Sequence, residues 1–145
     1  DADHDSVDLL YQHIRQEQAD VLPLWVDIAN PTPAMGFRNR ERKSFMERVK
    51  GEAVFALALI HHLLITSRIP LDAICELFHD LATKYVVVEF IEREDDMFQS
   101  LLALREDIYG RISRDVFLST FTKQFDLIDQ YVLSSTRALF TFKKQ

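Results

Sequence analysis

Ala53 to Leu64 reads AVFALALIHHLL, and the reading of this stretch decides the fold. It begins as a near-continuous apolar run and ends in two histidines followed by more aliphatics. A short run with no polar face fits a strand buried on both sides by helices. A buried helix reads the same way, and periodicity alone does not separate the two. Two neighbours favour the strand. Tyr85 to Ile91 (YVVVEFI) is dense in β-branched and aromatic residues, the composition of a second strand. Between the two runs, Leu71, Ile74, Cys75, Phe78, Leu81 and Ala82 form the apolar stripe of an amphipathic helix. Strand, helix, strand is the unit of a parallel α/β sheet. The pattern therefore predicts Ala53 to Leu59 and Tyr85 to Ile91 as adjacent parallel strands, both buried. Ligands of such sheets bind beyond the carboxyl ends of the strands, which sets His61 and His62 at the functional edge.

The composition narrows the class. A chain of 145 residues is one domain or part of a larger one, and 48% hydrophobic residues suffice for a core. Seventeen basic against 23 acidic residues give a net charge of -6, which argues against a nucleic-acid partner. Cys75 is the single cysteine, so no internal disulfide forms and a reducing, cytoplasmic setting is expected. No apolar stretch approaches the roughly 20 residues of a membrane span, so no membrane partner is expected. No signal peptide is visible.

Outward from the central stretch, Val7, Leu10, Tyr11 and Ile14 recur at helical spacing. They predict a helix from about Ser6 to Ala19 with Asp5 as its cap. Val21 to Ile28 (VLPLWVDI) reads as a strand, with Pro23 restricting it to an edge or strand end. Asn30 to Pro33 (NPTP) is a loop. Arg38 to Lys50 is highly charged and predicts a solvated helix, broken by Gly51. His61 to Thr66 starts a helix that soon ends, and Pro70 fits the first turn of the next one. Glu92 to Asp96 is a solvated turn, with Asp95 capping a helix over Met97 to Leu104. Arg105 to Ile112 reads as irregular. Ser113 caps a helix over Asp115 to Lys123 with Val116, Phe117, Thr120 and Phe121 as its core face. Phe125 to Leu133 and Thr136 to Lys143 read as an antiparallel hairpin joined by Ser134–Ser135. In its second strand Ala138, Phe140 and Phe142 alternate with Leu139, Thr141 and Lys143.

Four stretches in series carry a family resemblance: VLPLWVDIANPTPAMGFRNRERKSFMERV, ALALIHHLLITSRIPLDAI, VVVEFIEREDDMFQSLLALREDIY and TRALFTF. They resemble the later part of class I S-adenosylmethionine-dependent methyltransferases. Within that family they are most similar to a bacterial subgroup that includes host-specific nodulation proteins. Asn39 to Pro70 is the part specific to the subgroup. The resemblance implies an α/β fold: a Rossmann-like methyltransferase sheet, mostly parallel with a C-terminal antiparallel hairpin, lacking the first strands. The Val21, Ala53 and Tyr85 strands would be the family's third, fourth and fifth. The hairpin would supply the sixth and the seventh, the last inserted antiparallel.

The resemblance also implies site residues. Asp1 lies just past the second strand, where the family commonly has an acid that binds the ribose hydroxyls of S-adenosylmethionine. Asp27 matches the acid that accepts the adenine amino group, and Ile28 would flank the adenine ring. The glycine-rich loop for the methionine part of the cofactor has no counterpart among Gly36, Gly51 and Gly110. This chain therefore looks like the C-terminal portion of a methyltransferase domain, inactive alone, with a small-molecule methyl acceptor as the partner of the intact enzyme. The first two strands normally sit between the third and the fourth. Their lack predicts an exposed apolar sheet edge and self-association of the fragment.

Each candidate has a plainer reading. Asp1 and Asp3 also fit acids at a helix start, and Asp27 fits a loop-capping aspartate. His61 and His62 are candidates for catalysis, since imidazole titrates near working pH. Adjacent helix residues do not share a face, so no metal site is expected from them. Ile60-His61-His62-Leu63 stands where amino-methylating enzymes often carry an Asn/Asp-Pro-Pro-aromatic motif, which argues against methylation of exocyclic base amines. Arg38, Arg40, Arg42, Lys43 and Arg48 could grip an anion or form helical ion pairs with Glu41 and Glu47. Glu89, inside a buried strand, needs a partner. The rival functional reading is a non-catalytic interaction domain that retains the fold. Another parallel α/β domain, hydrolase-like or nucleotide-binding, lacks support: neither a nucleophile elbow nor a phosphate-binding glycine motif is present.

Overall fold

Residues 1–103 and 112–145 are described by a computed structural model, and the chain divides into two units, Asp1–Arg48 and Val49–Gln145. In the first unit, helix α1 spans His4–Glu17. Its cap is Asp3 rather than Asp5: the Asp3 carboxylate accepts from the Asp5 amide at 3.1 Å and from the Ser6 hydroxyl at 2.7 Å. The hydroxyl and amide contacts hold the Asp3 carboxyl below its usual range.

Two elements expected here do not form. Val21 to Ile28 forms no strand and ends in a turn at Ile28, and Leu22 and Trp25 stay 78% and 57% exposed. A strand exists only through pairing, and this segment finds a single residue to pair with. The Asp1 nitrogen donates to the Leu24 carbonyl at 3.1 Å, and the Val26 amide donates to the Asp1 carbonyl at 2.9 Å. Those two bonds follow the slanted pattern of a parallel ladder. The solvated helix over Arg38 to Lys50 shrinks to a 3-10 turn at Phe37–Asn39 and one α-turn, α2, at Phe45–Arg48. The cause is the backbone before it. Gly36, Arg38 and Asn39 all have φ between 56° and 88°, which no right-handed helix accommodates.

The second unit holds one four-stranded sheet in the order β1-β2-β4-β3. Strand β1 (Gly51–Ala56) runs parallel to β2 (Ala82–Ile91), and helix α3 (Leu71–Leu81) connects them. The final hairpin, β3 (Phe125–Val132) and β4 (Arg137–Lys144), adds its second strand antiparallel to β2 and to β3. The architecture is thus α/β but the sheet is mostly antiparallel, not mostly parallel. With no strand at Val21 to Ile28, β1 and β2 are the only parallel strand pair among the described residues.

Apolar alternation places the core on one face. Val86, Val88 and Phe90 of β2 stand opposite Phe142, Phe140 and Ala138 of β4, and all six are buried. Onto this face α3 brings Phe78, and α5 (Arg114–Phe121) brings Phe117 and Phe121. The expected stripe of α3, Leu71 to Ala82, is buried throughout; Pro70 sits one position earlier than expected, as the cap. On α5, Phe117 and Phe121 are buried while Val116 is 40% exposed. Strand β1 departs from expectation in its burial. It is an edge of the sheet among the described residues, and Phe55 is 67% exposed on the face away from the helices. Helix α4 (Asp96–Leu102) is capped by Asp95, as expected; Leu104, the expected end, lies outside the described residues. The irregular segment expected from Arg105 lies outside the described residues up to Arg111.

Candidate functional site

Beyond the carboxyl ends of β1 and β2 the chain builds a buried polar cluster. Strand β1 ends in a turn at Ala58, whose φ of 50° is unusual for a residue with a side chain. The Ala58 amide donates to Glu89 Oε2 at 2.8 Å. Glu89 therefore fixes the turn that leads into His61, and its expected partner is found as well: Arg137 Nη1 lies 3.5 Å from Glu89 Oε1. Arg137 belongs to β4, where it stands opposite Ile91, so its side chain reaches Glu89 diagonally on the same sheet face.

The guanidinium makes a stronger contact with Asp95. Nε donates to Oδ2 at 2.8 Å and Nη2 to Oδ1 at 3.0 Å, a two-point fork. Thr136 Oγ1 donates to Oδ2 at 3.0 Å, and the Met97 amide donates to Oδ1 at 3.0 Å. Hydrogen bonds from Arg137 foremost, then from Thr136 and the Met97 amide, hold the Asp95 carboxyl down at about 2 against the cost of burial. Asp95 is thus both the cap of α4 and the anchor of Arg137.

The two histidines diverge. His62 is exposed and opens a single π-turn, His62–Thr66. His61 is only 5% exposed, tilted against the His62 ring at 4.3 Å and near Phe98 at 6.4 Å. Its Nδ1 is the one buried side-chain nitrogen or oxygen without a hydrogen-bond partner among the described residues. Burial, then the charges of His62 and Arg137, push His61 down to about 4, with Asp95 opposing. The ring is neutral at pH 7, and its unpartnered Nδ1 is shut away from solvent.

A pH dependence follows. Between pH 6.5 and about 4 an unfolded chain protonates this imidazole and the folded chain does not. Its contribution is therefore fully present above pH 6.5 and lost as pH falls towards 4, about 3 kcal/mol in all. Urea denaturation at pH 7 and pH 4.5 should show that loss, and His61→Leu should flatten it. Parallel curves for parent and variant would refute the assignment.

The other residues singled out in the sequence lie in the first unit. Asp1 and Asp27 are exposed, and the backbone bonds of Asp1 to Leu24 and Val26 bring them near one another. Asp27 Oδ1 accepts the Ala29 amide at 2.9 Å, the loop-capping geometry, which leaves Oδ2 unused. Ile28 is half-buried. Sequence reasoning gave Arg137 no role, although the acid at Glu89 in a buried strand was the signal that a cation had to face it.

Comparison with known proteins adds one relative. The chain is similar to nodulation protein NoeA of Rhizobium meliloti (strain 1021), 32% identical over 145 residues. The match covers 99% of this chain and 30% of that protein, so the chain spans under a third of its relative's length. No family model matches, and no solved structure matches. Among the described residues no helix is long and apolar enough to cross a membrane.

Proposed function

We propose that this chain is the later part of an S-adenosylmethionine-dependent methyltransferase that acts on a small molecule in a process linked to nodulation. The link to nodulation rests on the similarity to NoeA. The observation that best supports the enzyme class is the sheet order β1-β2-β4-β3, with the last strand inserted antiparallel beside a parallel pair. That is the order the resemblance implies for the family's last four strands. The parallel-type bonds of Asp1 to Leu24 and Val26 agree with it, since the family's second strand flanks its third.

The residues present fit the adenosine half of the cofactor. Asp27 has a free Oδ2 for the adenine amino group, Ile28 offers an apolar side chain to the ring, and Asp1 is open to the ribose hydroxyls. Once bound, the cofactor supplies an electrophilic methyl group. The rest of the chain's part is alignment. In the second unit, Glu89 holds the Ala58 turn that leads into His61.

Titration calorimetry of the full-length protein with S-adenosylmethionine tests the proposal. Binding is expected, and Asp27→Ala should weaken it by about 1–3 kcal/mol, the scale of one hydrogen bond whose partner is left unsatisfied. This chain alone should bind poorly and, by light scattering, self-associate through the β1 edge, where Phe55 and Leu57 are exposed. A full-length protein that does not bind the cofactor would overturn the enzyme reading in favour of an interaction domain.

A further inference from the structure

The basic stretch of the first unit is not the ion-paired helix its sequence suggests. Met35 and Arg42 pair across a small loop: the Met35 amide donates to the Arg42 carbonyl at 3.0 Å and the Arg42 amide returns to Met35 at 3.1 Å. The loop between them depends on Gly36, whose φ is 88° and where a Cβ would overlap the Glu41 side chain. Arg38 and Asn39 are also left-handed, both at φ 56°. Backbone held this way at non-glycine residues costs free energy, and such positions cluster where a protein holds ligand groups.

Beside the loop lies a cavity of about 370 Å³ lined by Thr32, Met35, Glu41, Arg42, Lys43 and Arg48, with Pro33 at its wall. Three of these are cations and one is an acid, so the lining carries a net charge of +2. None of the three cations forms an ion pair among the described residues. Glu47, the other nearby acid, turns its carboxylate onto Ser44, accepting from the hydroxyl at 2.6 Å and the amide at 2.8 Å. The Ser44 bonds keep it ionised, and its proximity to Lys43 adds to that, but neither Arg42 nor Arg48 meets a carboxylate among the described residues.

We propose that this cavity binds a phosphate dianion carried by a small molecule. Charge selects the ligand class. A carboxylate would leave one positive charge uncompensated, whereas a phosphate monoester matches the net charge and offers oxygens for two arginine forks. Volume agrees, because 370 Å³ exceeds what a bare phosphate needs and lies in the range of small-molecule sites. The proposal is independent of the methyltransferase reading, since it uses none of Asp1, Asp27 or His61.

The test is titration of the whole chain, at constant ionic strength, with inorganic phosphate, with glycerol phosphate and with chloride, followed by calorimetry or amide shifts of Met35 to Arg48. Both phosphates should bind and chloride should not, with the ester the tighter of the two. Arg42→Gln and Arg48→Gln should each weaken binding about tenfold or more, the scale of a charge-assisted hydrogen bond. Arg42→Lys should lose less, because it keeps the charge while losing the fork. Glu41→Gln should tighten binding. Circular dichroism identifies any variant that fails to fold, and the Lys substitution then carries the test. Equal response to phosphate and chloride, or glutamine variants that bind as the parent does, would overturn the proposal. Inorganic phosphate tighter than the ester would overturn the small-molecule part of it.

Discussion

Phe140→Ala should destabilise the Val49–Gln145 unit by about 3–5 kcal/mol. Phe140 is fully buried, its ring lies 5.3 Å from that of Phe117 and 6.3 Å from that of Phe142, and the Arg114 guanidinium sits 5.9 Å above it. Truncation leaves a cavity walled by other aromatic rings, which are too rigid to collapse into it. Arg114 also loses its aromatic face, although it keeps Glu92 at 2.7 Å. The control is Phe55→Ala. Phe55 is 67% exposed, so its loss should stay under about 0.5 kcal/mol. Denaturant unfolding of the two variants reads the difference directly. Similar losses would mean that the open face of the sheet is covered in solution.

Arg137→Ala is expected to cost about 2–4 kcal/mol. Removing one partner of a buried ion pair leaves the other charge without compensation, and here two carboxylates, Asp95 and Glu89, face the same guanidinium. Partial exposure of Arg137, 31% for its side chain, keeps the figure below that of a fully dry site. A double-mutant cycle with Asp95→Asn should show strong coupling, because Asp95→Asn adds little once Arg137 is gone. A second readout comes from His61. Arg137 is one of the charges that push it down, so the variant should raise its titration point towards the ordinary imidazole value. Additive losses and an unmoved His61 would show that the cluster is not a unit.

The parts legible in the sequence are those whose partners are local. The α3 stripe follows from period alone, and the final hairpin follows from alternation plus a short link. Asp95 and Ser113 were legible as caps because the amides they accept lie within three residues. What failed depends on distant or absent partners. Val21 to Ile28 has the composition of a strand but meets only Asp1, and composition cannot supply a neighbour. The run at β1 looks like a central strand, but whether a strand is central or at an edge is decided by what pairs with it. Arg38 to Lys50 has helical composition, which the positive φ of Gly36, Arg38 and Asn39 overrides. At the candidate site, the histidines at the end of β1 were visible as a pair. Only the fold separates buried His61 from exposed His62, and only the β2–β4 pairing brings Arg137 to Glu89.

The insertion of β4 between β2 and β3 has a consequence for biosynthesis. Residues 137–144 leave the ribosome after the other three strands, yet they form the middle of the sheet and bond to both neighbours. Until they emerge, β3 has no strand to join among the described residues, and β2 lacks the residues that stand opposite Val86, Val88 and Phe90. The nascent chain must therefore hold an open strand edge until residues 137–144 emerge, the condition under which chaperone capture competes with folding. Without residues 137–144, β3 loses the one strand it pairs with among the described residues, and β2 loses its antiparallel partner.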